Sequence, residues 1–372
     1  MNSVEGLILT PGAWLRGRLV HDAGRILALQ GESVGEDAWR TSSEPILLPG
    51  FIDLHVHGGG GADVMQGGDA VHTLARSHAR FGTTALLATT MTAPRAEIEA
   101  ALRAVAGACV TRSEGAARVL GVHLEGPYIS PDKLGAQPAF AVVPSAVEIL
   151  ALAKLAPIRV VTLAPEMPGA LEATAALVAV GIRVQLGHSA ASYEVACTAM
   201  RAGASGFTHL FNAMSGLHHR APGVVGAALA HAQQAELIAD LLHVHPGAML
   251  AALRAIPNLY CVTDATAATA MPDGDYALGR HTVRKCGNGV RLPDGTLAGS
   301  TLTMDQALRN LVEGIGLTLR EASSRVSSNA ARYLGLPDRG ELRVGTVADI
   351  VQLDSQLRVQ RVWLEGAAQS SI

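Results

Sequence analysis

Eight short apolar segments alternate with Ala-rich segments between residues 51 and 263, and this alternation constrains the fold more than any other feature. Apolar runs of about four to eight residues are typical of buried strands. Strands that alternate with helices form parallel sheets, and eight repeats predict an α/β fold, a (β/α)₈ TIM-like barrel. The predicted strands are 51–56, 83–89, 119–124, 158–163, 182–187, 206–210, 236–240 and 259–263, and the predicted helices are 70–80, 94–106, 145–155, 168–180, 192–202 and 246–255.

Both ends of the chain have a different pattern. Residues 1–45 and 340–372 contain short strand-like runs that Gly and Pro residues separate. We expect these two ends to pair into one small β-sandwich domain beside a barrel of residues 46–339. Residues 305–335 are predicted to form helices that link the barrel to this domain.

The composition is that of a globular protein without a surface for nucleic acid or membrane. Hydrophobic residues make up 49% and charged residues 16% of the 372 residues, which excludes a disordered chain. The net charge of −3 excludes a strongly basic surface, and no apolar run is long enough to cross a bilayer. The N-terminus lacks the pattern of a signal peptide, and the four cysteines lack CxxC spacing. A cytoplasmic protein is therefore expected.

Side chains that can bind metals stand at the carboxyl ends of the predicted strands. In a closed barrel these ends meet on one face, where barrel enzymes have their active sites. His55 and His57 are two residues apart, so both point to the same face and form half of a site for Zn²⁺ or a similar ion. Taken alone, the pair also fits polar residues without a ligand. The other strand-end residues of this kind are Glu125, His188, His209 and Asp264.

Five of the eight predicted strands end in His, Glu or Asp, and unrelated structural roles would not place these residues so regularly. A three-ligand site of Glu125, His188 and His209 leaves a position open for water. Asp264 is suitably placed to take a proton from that water and pass it to a leaving group. Individually, each could instead be a surface carboxylate, a core histidine or a helix cap. Together they predict a metal-dependent hydrolase.

A lysine is missing where many two-metal barrel hydrolases have a carboxylated one. The fourth predicted strand ends in TLAPE, and the three lysines, Lys133, Lys154 and Lys285, lie elsewhere. If two ions bind, Glu125 must bridge them. Dihydroorotase-like and urease-like enzymes are therefore less expected.

At these residues the chain resembles the N-acetylglucosamine-6-phosphate deacetylases of the amidohydrolase superfamily. With the flanking β segments, the resemblance covers nearly the whole chain and follows the family's order. The matching segments are PGFIDLHVHG, HLEGPYIS, GHSAAS, THLFNAMSG, RAPG, IADLLHVH, VTDAT and LAGSTLTM.

The resemblance implies a metal centre with one or two divalent ions. Zinc is the first expectation, with Fe, Co, Mn or Ni as alternatives. Asp264 is implied as the catalytic acid and base. The implied ligands are Glu125, His188 and His209 for the principal ion, and His55 and His57 for a second ion where one is bound.

The resemblance also implies an amino-sugar phosphate as substrate and a homodimer. Arg220 would reach the phosphate in the neighbouring subunit's site, and His243 would bind the same phosphate. Asn212 and Ala213 would contact the sugar. The full set of implied substrate-binding residues is Ala136, Gln137, Asn212, Ala213, Arg220, Asp240, His243, Leu297, Ala298 and Gly299, the last three in a loop that closes over the substrate.

Two positions depart from the family's pattern, and both bear on the substrate. Gln137 stands where the family commonly has a histidine, and Leu241 replaces a glycine. The expected reaction is the deacetylation of N-acetylglucosamine 6-phosphate to glucosamine 6-phosphate and acetate. The alternatives are another N-acyl amino sugar such as N-acetylgalactosamine 6-phosphate, a non-catalytic sugar-phosphate-binding barrel, and a metal-dependent deaminase.

Overall fold

The computed structural model describes residues 1–369 and contains the predicted barrel of eight parallel strands. The first six strands are hydrogen-bonded in chain order, and the last two pair with each other. Backbone hydrogen bonds close the ring, because the Leu210 N–H donates to the Glu236 carbonyl at 2.9 Å and the Asp264 N–H to the His55 carbonyl at 3.0 Å. The barrel strands are Phe51–Val56, Thr83–Thr90, Arg118–Glu125, Ile158–Leu163, Arg183–Leu186, Gly206–Phe207, Glu236–Ile238 and Tyr260–Val262.

The barrel strands are nearly continuous apolar runs because they are covered on both faces. Every residue of the second strand, Thr83–Thr90, is buried. Its Leu86 belongs to the cluster that contains helix residues such as Leu74, whereas Leu87 belongs to the cluster that contains Leu54 of the neighbouring strand. Alternate side chains thus fill the two sides of the barrel wall.

Helices cover the outside of the barrel, and two of them begin at a capping serine. The side chains of Ser145 and Ser192 accept backbone N–H groups of their own helices. The sequence did not predict Gly223–His231, because this helix is buried on most sides and so has no amphipathic period. The barrel helices are Ala70–Ala79, Arg95–Val110, Ala146–Leu152, Ala170–Ala179, Tyr193–Arg201, Gly223–His231 and Pro246–Ala255, followed by Met304–Arg309, the π-helical Asn310–Gly314, Leu319–Val326 and Ser328–Leu334.

Both chain termini form one β domain, as predicted, with a sheet of seven strands. The strand Ile46–Pro49 pairs in parallel with the first strand and antiparallel with Ile350–Leu353, so it joins the two ends of the chain. The strand Ile46–Pro49 lies beyond residue 45, the predicted end of the N-terminal part of this domain. The domain limits stay a prediction. Residues 370–372, which were predicted to belong to the domain, lie outside the residues that the structure describes. The seven strands are Asn2–Leu9, Trp14–Asp22, Arg25–Val34, Ile46–Pro49, Ile350–Leu353, Val359–Leu364 and Ala367–Ala368.

A four-stranded antiparallel sheet follows the eighth barrel strand and was not predicted. Its strands are short and carry exposed polar residues, so they resemble loop segments in the sequence. The Gly279 N–H after its first strand donates to the Asp63 carboxylate at 2.9 Å, which ties the sheet to the loop after the first barrel strand. Within residues 1–369, no helix combines the length and the apolar character that a membrane span requires. The strands of this sheet are Gly274–Leu278, His281–Cys286, Gly289–Arg291 and Leu297–Ser300.

An ion-pair cluster connects the β domain to the third barrel strand. The Glu365 carboxylate accepts hydrogen bonds from Arg118 at 2.7 and 2.9 Å and from Arg339 at 2.7 Å. The hydrogen bonds from Arg118, with Arg339 beside it, lower the pKa of Glu365 to about 2. We expect Glu365→Gln to lower the free energy of unfolding by about 2–3 kcal/mol at pH 7, measured by urea denaturation.

The same contacts predict a pH dependence for this difference. Because the folded state lowers the pKa of Glu365 from 4.5, its contribution is present above the unfolded pKa and is lost as pH falls toward 2. The difference between wild type and Glu365→Gln should therefore shrink below about pH 5. Glu32→Gln is the control, since Glu32 pairs with Arg16 in solvent and should contribute little. A constant difference down to pH 4 would contradict the ionic origin.

Candidate metal centre and active site

The strand-end side chains converge on the carboxyl face of the barrel. Oε1 of Glu125 lies 3.1 Å from Nε2 of His188 and 3.0 Å from Nε2 of His209, and these two nitrogens are 3.1 Å apart. Ligands of a tetrahedral zinc ion, with bonds of about 2.0–2.1 Å, are separated by about 3.3 Å. The three donor atoms therefore fit one divalent ion.

A second group of donors shares the other oxygen of Glu125. Oε2 of this carboxylate lies 3.1 Å from Nε2 of His57 and 3.5 Å from Nε2 of His55. The two histidine Nε2 atoms are 3.1 Å apart, and Oδ1 of Asp264 lies 3.3–3.4 Å from both. Glu125 thus presents one oxygen to each group, as a bridging carboxylate would.

The charges at this buried site support one another. Burial opposes the charged form of each group, yet the surrounding carboxylates raise the pKa of His55 well above its usual value and that of His57 to about 9. The histidines in turn hold the pKa of Glu125 well below its usual value and lower that of Asp264. Buried, ionised carboxylates require positive charge beside them. A divalent ion bound at this site would supply that charge and would displace protons from the imidazoles.

Three of the six candidate residues at the strand ends have a strained backbone. His188, His209 and Asp264 have φ angles of 46°, 29° and 52°, in the left-handed region that residues other than glycine seldom adopt. Gly299, with a φ of 62°, packs against the backbone of Asp264. A Cβ atom at Gly299 would lie 2.9 Å from the Asp264 carbonyl oxygen. Such strain clusters at functional sites, where the surrounding structure enforces it.

Two carboxylates that contact the candidate ligands or a loop beside them were not predicted from the sequence. Glu236 is fully buried in the seventh strand and lies 2.9 Å from Nδ1 of His55. Glu166 follows the fourth strand and accepts hydrogen bonds from the Ser189 hydroxyl at 2.7 Å and the Ala190 N–H at 2.6 Å. The available signals were an acidic residue inside the apolar run ELIAD and the glutamate that ends TLAPE.

A cavity of about 250 Å³ opens above the candidate metal-binding side chains. Met91, Gly135, Leu278 and Thr296 also line it but were not predicted, and the last two come from the four-stranded sheet or its loops. The predicted residues around this cavity are His57, Glu125, Ala136, Gln137, His188, His209, Asn212, Ala213, His243, Asp264, Leu297 and Gly299.

The remaining predicted residues lie away from the cavity wall in the single chain. Asp240 is indirect, since its carboxylate lies 2.6 Å from Nδ1 of His243 and orients that imidazole. Arg220 is exposed, with its guanidinium 2.7 Å from Nε2 of His219. His55 and Ala298 are completely buried.

Gln137 has both ends of its amide engaged within the protein. Its oxygen accepts the Thr92 N–H at 2.7 Å, and its nitrogen donates to Oε2 of Glu125 at 2.7 Å. The amide therefore holds the Glu125 carboxylate in place. A substrate contact by Gln137 stays a prediction.

Comparisons with known proteins agree with a barrel hydrolase. The sequence model of the amidohydrolase family matches residues 46–368, so the chain belongs to this family. Its expected resemblance to amino-sugar-phosphate deacetylases is also confirmed. N-acetylgalactosamine-6-phosphate deacetylase of Escherichia coli O157:H7 is 43% identical over 371 residues, 96% of each chain. N-acetylglucosamine-6-phosphate deacetylase of Vibrio furnissii is 41% identical over 361 residues, 93% of this chain and 89% of the relative.

A solved structure extends the similarity to the whole fold. It is an aspartate-to-alanine mutant of N-acetyl-D-glucosamine-6-phosphate deacetylase from Mycobacterium smegmatis, in complex with N-acetyl-D-glucosamine-6-phosphate. The TM-score is 0.89 at 32% identity, with 98% of this chain and 97% of the other covered.

Proposed function

We propose that this protein hydrolyses the acetamide of N-acetylglucosamine 6-phosphate, giving glucosamine 6-phosphate and acetate, in amino-sugar catabolism. One observation carries the proposal: the Asp264 carboxylate faces a set of four imidazoles around the Glu125 carboxylate, and three of these imidazoles line the same cavity as Asp264. That arrangement combines a metal site with a proton acceptor. The activities of the similar proteins support it.

One or two divalent ions suit the donor atoms of this site. Imidazole nitrogens and carboxylate oxygens are ligands of Zn²⁺, our first expectation, and of Fe, Co, Mn and Ni ions. When bound, the ion supplies Lewis acidity, which polarises the acyl carbonyl and lowers the pKa of a water molecule. The proposed ligands are Glu125, His188 and His209, and for a second ion His55 and His57.

Asp264 carries the proton in this proposal. Although burial raises the pKa of its carboxyl group, His55 and His57 lower it, so the carboxylate is ionised and can accept a proton from the attacking water. The water oxygen bonds to the acyl carbon, and the carbon–nitrogen bond breaks. The departing amine takes the proton from Asp264, which restores the carboxylate without a covalent enzyme intermediate.

The sugar phosphate is proposed to lie near His243. Burial lowers the pKa of this imidazole, but its contact with Asp240 outweighs burial and raises it, which favours the cationic form. Asn212 and Ala213 line the cavity at the proposed sugar position. Arg220 is exposed in the single chain, so its guanidinium is available to a neighbouring copy.

A mixing experiment tests the contribution of Arg220 from the neighbouring subunit. The variants Arg220→Ala and Asp264→Asn should each be nearly inactive alone. Co-expressed with different tags, they should recover about a quarter of wild-type activity, because half of the dimers are mixed and each mixed dimer has one complete site. No recovery in purified mixed dimers would show that Arg220 does not complete the partner's site.

A substrate panel tests the reaction itself. Acetate release should be far faster from N-acetylglucosamine 6-phosphate than from unphosphorylated N-acetylglucosamine. N-acetylgalactosamine 6-phosphate is the second candidate, because the Escherichia coli relative of that name is 43% identical over nearly the whole chain. Binding of these sugars without acetate release would instead indicate a non-catalytic barrel, and release of ammonia a deaminase.

A further inference from the structure

We propose that Glu236 is a positioning residue that holds His55 as a ligand of a second metal ion, which gives this chain a two-ion centre. The inference rests on the proposed function, because it requires the metal site described above. Glu236 lies in the seventh barrel strand with none of its surface exposed. It reaches a histidine that is 181 residues earlier in the chain.

The contact between Glu236 and His55 selects the tautomer that a metal requires. Oε2 of Glu236 lies 2.9 Å from Nδ1 of His55, and an ionised carboxylate only accepts hydrogen bonds. The proton of the neutral imidazole is therefore on Nδ1, and the lone pair is on Nε2. Nε2 is the atom that faces His57 and Glu125. Carboxylates in this position orient metal-binding histidines and make them more basic.

The same carboxylate oxygen also supports the first ion's ligands. It accepts at 3.1 Å the backbone N–H of His209, a member of the Glu125–His188–His209 group, and a glutamine oxygen in the same place still accepts this N–H. The other oxygen, Oε1, has no hydrogen-bond partner among residues 1–369. Among residues 1–369, the charged partners of this fully buried carboxylate are histidines alone. Positive charge beyond His55, where the second ion would lie, would stabilise the carboxylate.

Glu236 supports the centre from outside and is not itself proposed as a ligand. Together with His55 and His123 it forms a third cluster of donor atoms. The ring nitrogens of His123, however, lie 3.2 Å from the Leu54 carbonyl and 2.7 Å from the Thr162 hydroxyl, so both are already engaged. This leaves His123 as a core histidine and leaves no complete ligand set around Glu236.

Zinc titration of the metal-free full chain tests the inference without sugar turnover. We would measure the ions bound per chain by elemental analysis and the affinities by calorimetry for wild type, Glu236→Gln, His55→Gln and the double variant. Wild type should bind two ions. Glu236→Gln should keep the first ion and bind the second about 10–100-fold more weakly. In the His55→Gln background the same change should have no further effect, because Glu236 acts through His55.

Glu166→Gln is the matched control, since Glu166 also supports a loop of the site but contacts Ser189 and Ala190. It should leave the affinity for the second ion unchanged. If Glu236→Gln does not fold, Glu236→Asp decides, because it keeps the charge and withdraws the carboxylate: weaker second-ion binding supports the inference, and unchanged binding overturns it.

Other results would overturn the inference in separable ways. A wild type with one ion, or a folded Glu236→Gln variant with two ions at unchanged affinity, would remove the role of Glu236. A double variant that loses the first ion where His55→Gln keeps it would show general support of the centre rather than action through His55. Normal acetate release in any of these cases would leave the proposed function intact, whereas a wild type without metal would refute both.

Discussion

Asp264→Asn is expected to lower kcat for acetate release by about 10²–10⁴-fold. The amide has nearly the same shape as the carboxylate but cannot accept the proton of the attacking water, so it removes the proton transfer and preserves the packing. Oδ1 of Asp264 lies 3.3 Å from Nε2 of His57, which places the substituted group beside a proposed metal ligand at the cavity. Steady-state kinetics on N-acetylglucosamine 6-phosphate measures the effect.

Metal content provides the control for this variant. Asp264 does not contact the Glu125–His188–His209 group as closely as it contacts His55 and His57, so the first ion should stay bound. Elemental analysis and thermal unfolding would show whether the protein is folded and loaded. Near-normal turnover in a metal-loaded Asp264→Asn protein would refute the proposed mechanism.

Glu125→Gln is expected to weaken metal binding and thereby to abolish turnover. The loss of affinity should exceed the roughly 10–100-fold that follows when a residue supporting a metal ligand is replaced. Within residues 1–369, Glu125 is the one side chain whose oxygens lie within 3.1 Å of Nε2 atoms in both donor groups, His188 and His209 on one side and His57 on the other. An amide nitrogen in place of either oxygen cannot bind a cation. Elemental analysis of the purified variant measures the loss.

The thermal stability of the protein gives a second measurement of the same effect. An ion that binds only the folded state raises the Tm, so a chelator should lower the Tm of wild type. The chelator should not change the Tm of Glu125→Gln, which has already lost the ion. Full metal occupancy in Glu125→Gln would show that Glu125 is not a principal ligand.

The order of strands and the histidine and carboxylate residues at their ends could be predicted because they depend on local pattern. The apolar runs that end at His57, Glu125 and Asp264 are visible without any structure, and parallel strands bring their ends to one face. The helix Gly223–His231 and the sheet between residues 274 and 300 were not predicted, since the first has no polar face and the second has short, polar strands. Local pattern does not distinguish such segments from loops.

The roles of individual atoms at the centre were not visible in the amino-acid order. Gln137 stands at a predicted substrate position, yet its amide joins Thr92 to Glu125 because the loop after the third strand folds over the second. Arg220 does not line the cavity of its own chain. The contacts of Gln137 and the position of Arg220 outside the cavity both depend on where the folded backbone points these side chains.

The amino-acid sequence alone predicts a barrel with histidine and carboxylate side chains at its strand ends, because the spacing of apolar residues indicates strand length and burial. Barrel closure decides the rest. It directs the two oxygens of Glu125 to different groups of histidines and brings Glu236 against His55. These contacts join residues far apart in the chain, so no local period encodes them, and only the packed barrel fixes which atoms meet.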